Sequence, residues 1–411
     1  MAMTLFTNAR IVDGAAPDLG DPVGVLVEDQ HIREVGPGLS SAAAETIDLR
    51  GRTLMPGLID CHVHVVAVVA NLAQNAMLPD SYVTAKSALV MRDMLMRGFT
   101  TVRDVGGANQ GLVRAVAEDL FPAPRLVISG KALSQTGGHC DFRGPFDDRP
   151  TRQSGHRLGA LGRVCDGVPE LRRAAREEIK GGATFIKIMA NGGCASPTDP
   201  IHFLGFSEEE VRAAVEEARN AGTYVAAHLY TDESIRRSVE CGVHSLEHCN
   251  LIRAETAALA AARGAVAVPT QVTFEMLATE GASLGFPPDS VRKVEIVRAA
   301  GIKALGLLHD AGVPMAYGTD LLGEMHRHQS EEFVIRGRVL PAQEVIAAAT
   351  HVAARLCRME GEIGVIAPGA FADMIVVEGN PLADLSLLTR QGAHIPLIMK
   401  AGAFVKRAAF G

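Results

Sequence analysis

Residues 54–64 read LMPGLIDCHVH, a short apolar run that ends in two histidines separated by a single valine. In a β-strand, side chains two apart share a face, so His62 and His64 project together from one strand end. They form a ready pair of metal ligands. An isolated H-x-H also occurs in ordinary loops, so the residues on either side must decide the matter.

Before this run, segments 5–12, 23–35 and 46–54 are rich in β-branched and aliphatic residues and are separated by Gly, Pro or Asp. They predict a small antiparallel sheet. At the other end of the chain, 372–377 reads as a strand and 397–405 as a hairpin or paired strand. Neither end has enough strands to stand alone, so one small β-sandwich built from both termini is expected.

Between the two ends the pattern becomes strand alternating with helix. After 54–64 come 98–107 (GFTTVRDVGG), 125–131, 184–193, 223–230, 242–249, 265–271 and 314–320, which makes eight candidate strands. Helical stretches lie between most of them: 207–220 opens with a Ser207/Glu210 capping box, and 341–356 has Pro341 at its first helical position. Eight β-then-α units predict an α/β fold, a (β/α)8 TIM barrel. The expected division is 1–55 for the first part of the sandwich, 56–364 for the barrel and 365–411 for the second part. Two connections, 132–168 and 191–206, are long enough to be loops over the active-site face.

Composition agrees with this plan. The 411 residues exceed one small domain, and 47% hydrophobic with 21% charged residues suits a globular chain with a large core. A net charge of −7 without a polybasic tract argues against nucleic acid or an anionic membrane as partner. Seven scattered cysteines without a C-x-x-C pair read as reduced thiols. The N-terminus lacks a basic head followed by an apolar core, and the apolar run from Val63 is too short to span a bilayer. A cytoplasmic protein acting on a small molecule is the expectation.

Barrel enzymes carry their chemistry at the C-terminal strand ends. Here the first strand ends in His62 and His64, the fourth carries Lys187, the fifth His228, the sixth His248, and the eighth ends at Asp320. Singly, each has a plain structural account: a core histidine, a helix cap, a snorkelling lysine. Jointly those accounts fail, because independent scatter would not put all six at strand ends. Imidazole and carboxylate without thiolate suit a catalytic divalent-metal site. The lysine would repel a cation unless carbon dioxide converts its amine to an anionic carbamate.

This set resembles the binuclear-metal subtype of the amidohydrolase superfamily, which includes phosphotriesterase, dihydroorotase and urease. LMPGLIDCHVH and the late GVIAPGAFADMIV with NPL are similar to that superfamily's habit of flanking its barrel with a small β domain. TGGHCD, IKIMANGG, HLYTDES, VHSLEH and GTDLLGEMHRHQSEEF resemble the branch of Xaa-Pro dipeptidases and carboxypeptidase-like N-acyl-amino-acid hydrolases, to which ochratoxin amidohydrolases are also similar. The resemblance covers essentially the whole chain.

It implies two divalent metals, most readily zinc. His62, His64 and Asp320 would hold the more buried ion, His228 and His248 the more exposed one, and Lys187, N-carboxylated by CO2, would bridge them together with a hydroxide. Asp320 would carry the proton from that hydroxide to the leaving nitrogen, Tyr230 would hydrogen-bond the carbonyl oxygen, and His139 would reach the substrate's free carboxylate. His326, Arg327 and His328 form a cationic cluster that could steer a carboxylate, although a solvated loop accounts for each alone. Cys140 departs from the small residue, such as glycine, expected there. Superfamily relatives often assemble, so a homo-oligomer is possible.

The leading expectation is hydrolysis of an amide bond to a carboxylate-bearing amino acid. Cyclic-amide hydrolysis, imidazolonepropionase-like or dihydroorotase-like, is the closer rival. Ring deamination loses ground because Thr231 stands where mononuclear deaminases place a glutamate. A metal-free scaffold would have replaced some of the six residues.

Overall fold

Thr53–Pro56 lies at the centre of a sheet drawn from both ends of the chain. In a computed structural model, which describes residues 3–151, 155–196, 198–286 and 288–408, this strand pairs with Met3–Ile11 in parallel and with Met374–Val377 antiparallel. Val23–Glu28 and His31–Gly36 extend the sheet on one side, Leu397–Lys400 and Ala403–Arg407 on the other. Phe6, Val25, Ile32, Leu54, Met374, Val376 and Leu397 form its buried face.

The terminal sheet departs from its sequence reading in two ways. Segments 23–35 and 46–54 each break into two strands, at Asp29 and at Arg50–Gly51, where positive φ turns the chain. The sheet is also mixed rather than antiparallel, because Met3–Ile11 pairs in parallel with both Glu45–Asp48 and Thr53–Pro56.

Pro56 and Gly57 carry the chain out of this sheet and into the first barrel strand, Leu58–Val63, all of whose residues are buried. A Cβ on Gly57 would lie 2.1 Å from Thr100 Oγ1, so only glycine lets the neighbouring strand approach. Parallel strands follow in order: Phe99–Asp104; Arg125–Ile128 and Ala132–Ser134, which together fill the third position; then Ile186–Met189, Val225–Thr231, Ser245–Leu251 and Val266–Val268. Gly162–Val164 pairs with Ala132–Ser134, so both ends of the long connection 132–168 are ordered as strand rather than loop.

The eighth position contributes a single bridge, Ala267 to Met315, instead of a full strand. Hydrogen bonds still close the ring there: Ala316 N–H donates to Ala267, and Cys61 N–H to Tyr317 O at 2.7 Å. The helix expected over 341–356 is two, Ala342–Ala348 and His351–Leu356, with Pro341 at the N-cap. Thr350 interrupts it, its hydroxyl donating to carbonyls of Asp13 and Ile346. The Ser207/Glu210 capping box is present on Glu208–Asn220. Among the described residues no helix is long and apolar enough to cross a membrane.

Candidate active site

All six strand-end residues line one cavity at the C-terminal end of the barrel, together with His139, Cys140 and Phe142. One ring nitrogen or carboxylate oxygen from each of His62, His248 and Asp320 falls within 4.8 Å of the others. Asp320 Oδ1 is the shared corner, 3.4 Å from His62 Nε2 and 3.3 Å from His64 Nε2. The rings of His62 and His228 each lie 4.8 Å from that of His248.

The outer nitrogens test whether these residues suit a cation. His62 Nδ1 lies 2.7 Å from Glu247 Oε2, His64 Nδ1 2.9 Å from the Gly106 carbonyl, and His248 Nδ1 2.7 Å from Thr270 Oγ1. A carboxylate and a carbonyl only accept, so Nδ1 of His62 and of His64 carries the proton and their Nε2 atoms turn a lone pair inward. Histidine ligands are held in this way in metal sites. His228 has Nε2 at 3.4 Å from the Gly192 carbonyl, which leaves Nδ1 for a cation. Burial holds the imidazoles of His228 and His248 well below the usual range, so both remain neutral donors. The donor set therefore fits divalent metal.

Lys187 is 1% exposed, and among the described residues its ammonium has no hydrogen-bond partner and no carboxylate at ion-pair distance. Burial lowers its pKa toward the free amine. His248 (φ 72°) and Asp320 (φ 53°) both sit in the left-handed region, at a cost of about 1–3 kcal/mol each, the kind of strain kept at functional sites.

Sequence reading missed the support beneath the cavity. Glu247 also accepts from Arg103 at 2.7 Å, both side chains 0% exposed, and Arg103 donates onward to the Cys61 carbonyl, Tyr224 and Ser245. Burial alone would raise the Glu247 carboxyl, but Arg103 and the His62 N–H outweigh it and hold the group well below the carboxylate range. Asp60 Oδ1 accepts from the His62 backbone, and its Oδ2 from Thr319 and Gln329, which ties the first strand to the segment that presents Asp320. Burial raises this carboxyl to about 6.

Tyr230 is buried against the rings of His228, His248 and Phe274. His139 stacks on His228 at 4.3 Å. Cys140 packs into a gap at another glycine: a Cβ on Gly162 would lie 2.5 Å from its Sγ. The small residue expected at 140 thus has its counterpart at 162, and burial pushes the thiol up to about 12. The cationic cluster does not form. Arg327 and His328 pair with Glu280, while His326 is buried against the Ala67 carbonyl, its pKa lowered to about 3 by burial.

Residues 53–403 match the amidohydrolase family. Among curated proteins the chain is 30% identical to the ochratoxinase of Aspergillus niger over 371 residues, 87% of this chain and 76% of that one. Among solved structures it is similar to an amidohydrolase at 51% identity and TM-score 0.97, covering 99% of this chain and 100% of the other. It is also similar to a prolidase complexed with N-methylphosphonate-L-proline, at 47% identity, TM-score 0.97 and the same coverage.

Proposed function

Because the chain belongs to the amidohydrolase family, a hydrolytic enzyme acting on amide bonds, we propose that it cleaves the amide joining an acyl group to an amino acid that keeps a free carboxylate. The substrate would be an Xaa-Pro or other dipeptide, an N-acyl amino acid or an ochratoxin-like conjugate. One observation carries the reading: the six strand-end donors line a single cavity that His139 also lines, stacked on His228. Proline-type substrates are favoured within the class, since identity to the prolidase, 47%, exceeds that to the ochratoxinase, 30%. Leu72, Phe142, Leu161, Met189 and Leu322 give the cavity apolar walls suited to a compact ring.

His62, His64 and Asp320 would hold one divalent cation and His228 and His248 a second, zinc in our reading, with N-carboxylated Lys187 between them. When bound, such ions supply Lewis acidity, which makes water nucleophilic near neutral pH and polarises a carbonyl. The chain's own residues do the remainder. Asp320 takes a proton on its carboxylate and delivers it to the leaving nitrogen. Tyr230 donates from its hydroxyl to the carbonyl oxygen as charge develops there. His139 meets the free carboxylate of the amine-side residue. The buried Lys187 amine, short of partners, is well suited to add carbon dioxide. In this reading 1–55 and 365–411 make the sandwich and 56–364 the barrel, and the crossing at Pro56–Gly57 supports that boundary.

The test is a substrate panel on the metal-replete enzyme. Xaa-Pro dipeptides, N-acyl amino acids and ochratoxin-like conjugates should be cleaved, and lactams and aminated rings should not. Activity confined to rings would overturn the reading.

A further inference from the structure

The wall of the cavity that carries His139 also holds a buried pair of charges that the chemistry above leaves unused. His139 Nδ1 lies 2.8 Å from Ser196 Oγ and 3.4 Å from Asp199 Oδ2. The Ser196 hydroxyl donates to Asp199 Oδ1, so its oxygen is left to accept from His139 Nδ1–H. Asp199 Oδ2 also accepts the Gly193 N–H at 3.0 Å, and Ser196 and Asp199 are each 1% exposed.

The balancing charge comes from Lys293 on the helix Pro288–Asp310. Its ammonium donates to the main-chain carbonyls of Gly193, Ser196 and Asp199 at 3.1, 3.0 and 3.0 Å. The carbonyls of Gly193, Ser196 and Asp199 thereby share one cation, while the Asp199 carboxylate faces the imidazole. Burying a carboxylate costs free energy that a neutral hydrogen-bonding side chain would avoid, so simple closure of the loop does not explain the choice.

The ring itself has little freedom. One face lies on His228, at 4.3 Å and 19°. A Cβ on Gly193 would sit 1.8 Å from its Cε1, so glycine there is what admits the ring. With Nδ1 committed to Ser196 and Asp199, Nε2 is the nitrogen left for the cavity that His139 lines.

Resting on the reading above, we propose that Asp199 is a positioning residue. Acting through Ser196, it fixes His139 with Nε2 toward the cavity, where that nitrogen donates to the carboxylate of the substrate's amine-side amino acid. Lys293 keeps the loop that carries Asp199 in place. The arrangement discriminates a free carboxylate from a blocked or missing one.

The experiment compares an Xaa-Pro dipeptide with the matching Xaa-pyrrolidide, which lacks only the carboxylate, on the metal-replete enzyme. In Asp199→Asn, kcat/KM for the dipeptide should fall roughly 10- to 100-fold, mostly through KM, the loss expected for a hydrogen bond to a charged group. The pyrrolidide should hardly change, and metal content should stay at the wild-type level. Ser196→Ala, a milder change, should shift the preference in the same direction. Adding Asp199→Asn to His139→Ala should cost nothing further, since one acts through the other. Equal losses on both substrates, or additive losses in the double variant, would overturn the proposal while leaving the enzyme's activity class standing. Wild-type enzyme inert toward both substrates would overturn the functional reading itself.

Discussion

Below the cavity and at its mouth, an imidazole is held by a carboxylate, but with different materials. Below, Glu247 grips His62 at 2.7 Å and Arg103 balances it, with every group on a barrel strand and at most 1% exposed. At the mouth, Asp199 reaches His139 through Ser196, and its balancing ammonium is bound to loop carbonyls. The lower assembly cannot shift without breaking ladder hydrogen bonds between strands. The upper one can change while the sheet stays intact. Groups that bear on the proposed metal donors thus sit on the rigid frame, and groups proposed to face the substrate's periphery sit on loops.

Four substitutions would break or sharpen this contrast. Lys187→Ala, at the centre, should have the largest effect: metal content should drop far below about two ions per chain, and hydrolysis should fall by about 10³-fold or more. A metal-free variant that stayed active would remove the basis for the comparison. Glu247→Gln strips Arg103 of its buried counter-ion, so denaturant melts should register a loss of about 3–5 kcal/mol. Metal titration of the same variant should show affinity weakened about 10- to 100-fold. Lys293→Met, at the mouth, should cost about 1–3 kcal/mol by unfolding while bound metal stays the same. If metal were lost there too, the two assemblies would not be independent. Smallest of all, Arg114→Ala removes an exposed i,i+4 pair with Glu118 and should move stability by less than about 0.5 kcal/mol.

The same contrast governs what the chain reveals before folding. His62, His64, Lys187, His228, His248 and Asp320 were legible because strand ends in a barrel converge, and the period-2 pattern marks those ends. Glu247 lay in plain view beside His248 but went unread, since adjacent strand residues normally face opposite ways. Ser245 and Glu247 share the inward face, and the left-handed backbone at His248 brings its ring inward as well. Asp199, Ser196 and Lys293 had no such signal. They meet through an irregular loop and a helix some 100 residues away, which no periodicity describes. His139 and Tyr230 were reached by resemblance alone. In the terminal sheet, the turns at Asp29 and Arg50–Gly51 carry an aspartate and a glycine, signals that are easily passed over inside runs of strand composition. The eighth barrel strand was overread because PMAYGTD has strand composition but bonds to its neighbours through backbone too irregular to form a ladder.

The central strand of the terminal sheet sets a timetable for synthesis. Met55 pairs with Ile375, so at about 5–20 residues per second the strand Thr53–Pro56 leaves the ribosome roughly 15–65 s before its antiparallel partner exists. Throughout that interval an edge that ends up fully buried, TLMP, stands open with unpaired main-chain groups while the barrel folds around its own helices. The nascent chain therefore has to tolerate, or have shielded, a half-built sheet, and aggregation during expression should depend more on this waiting edge than on the stability of the finished enzyme.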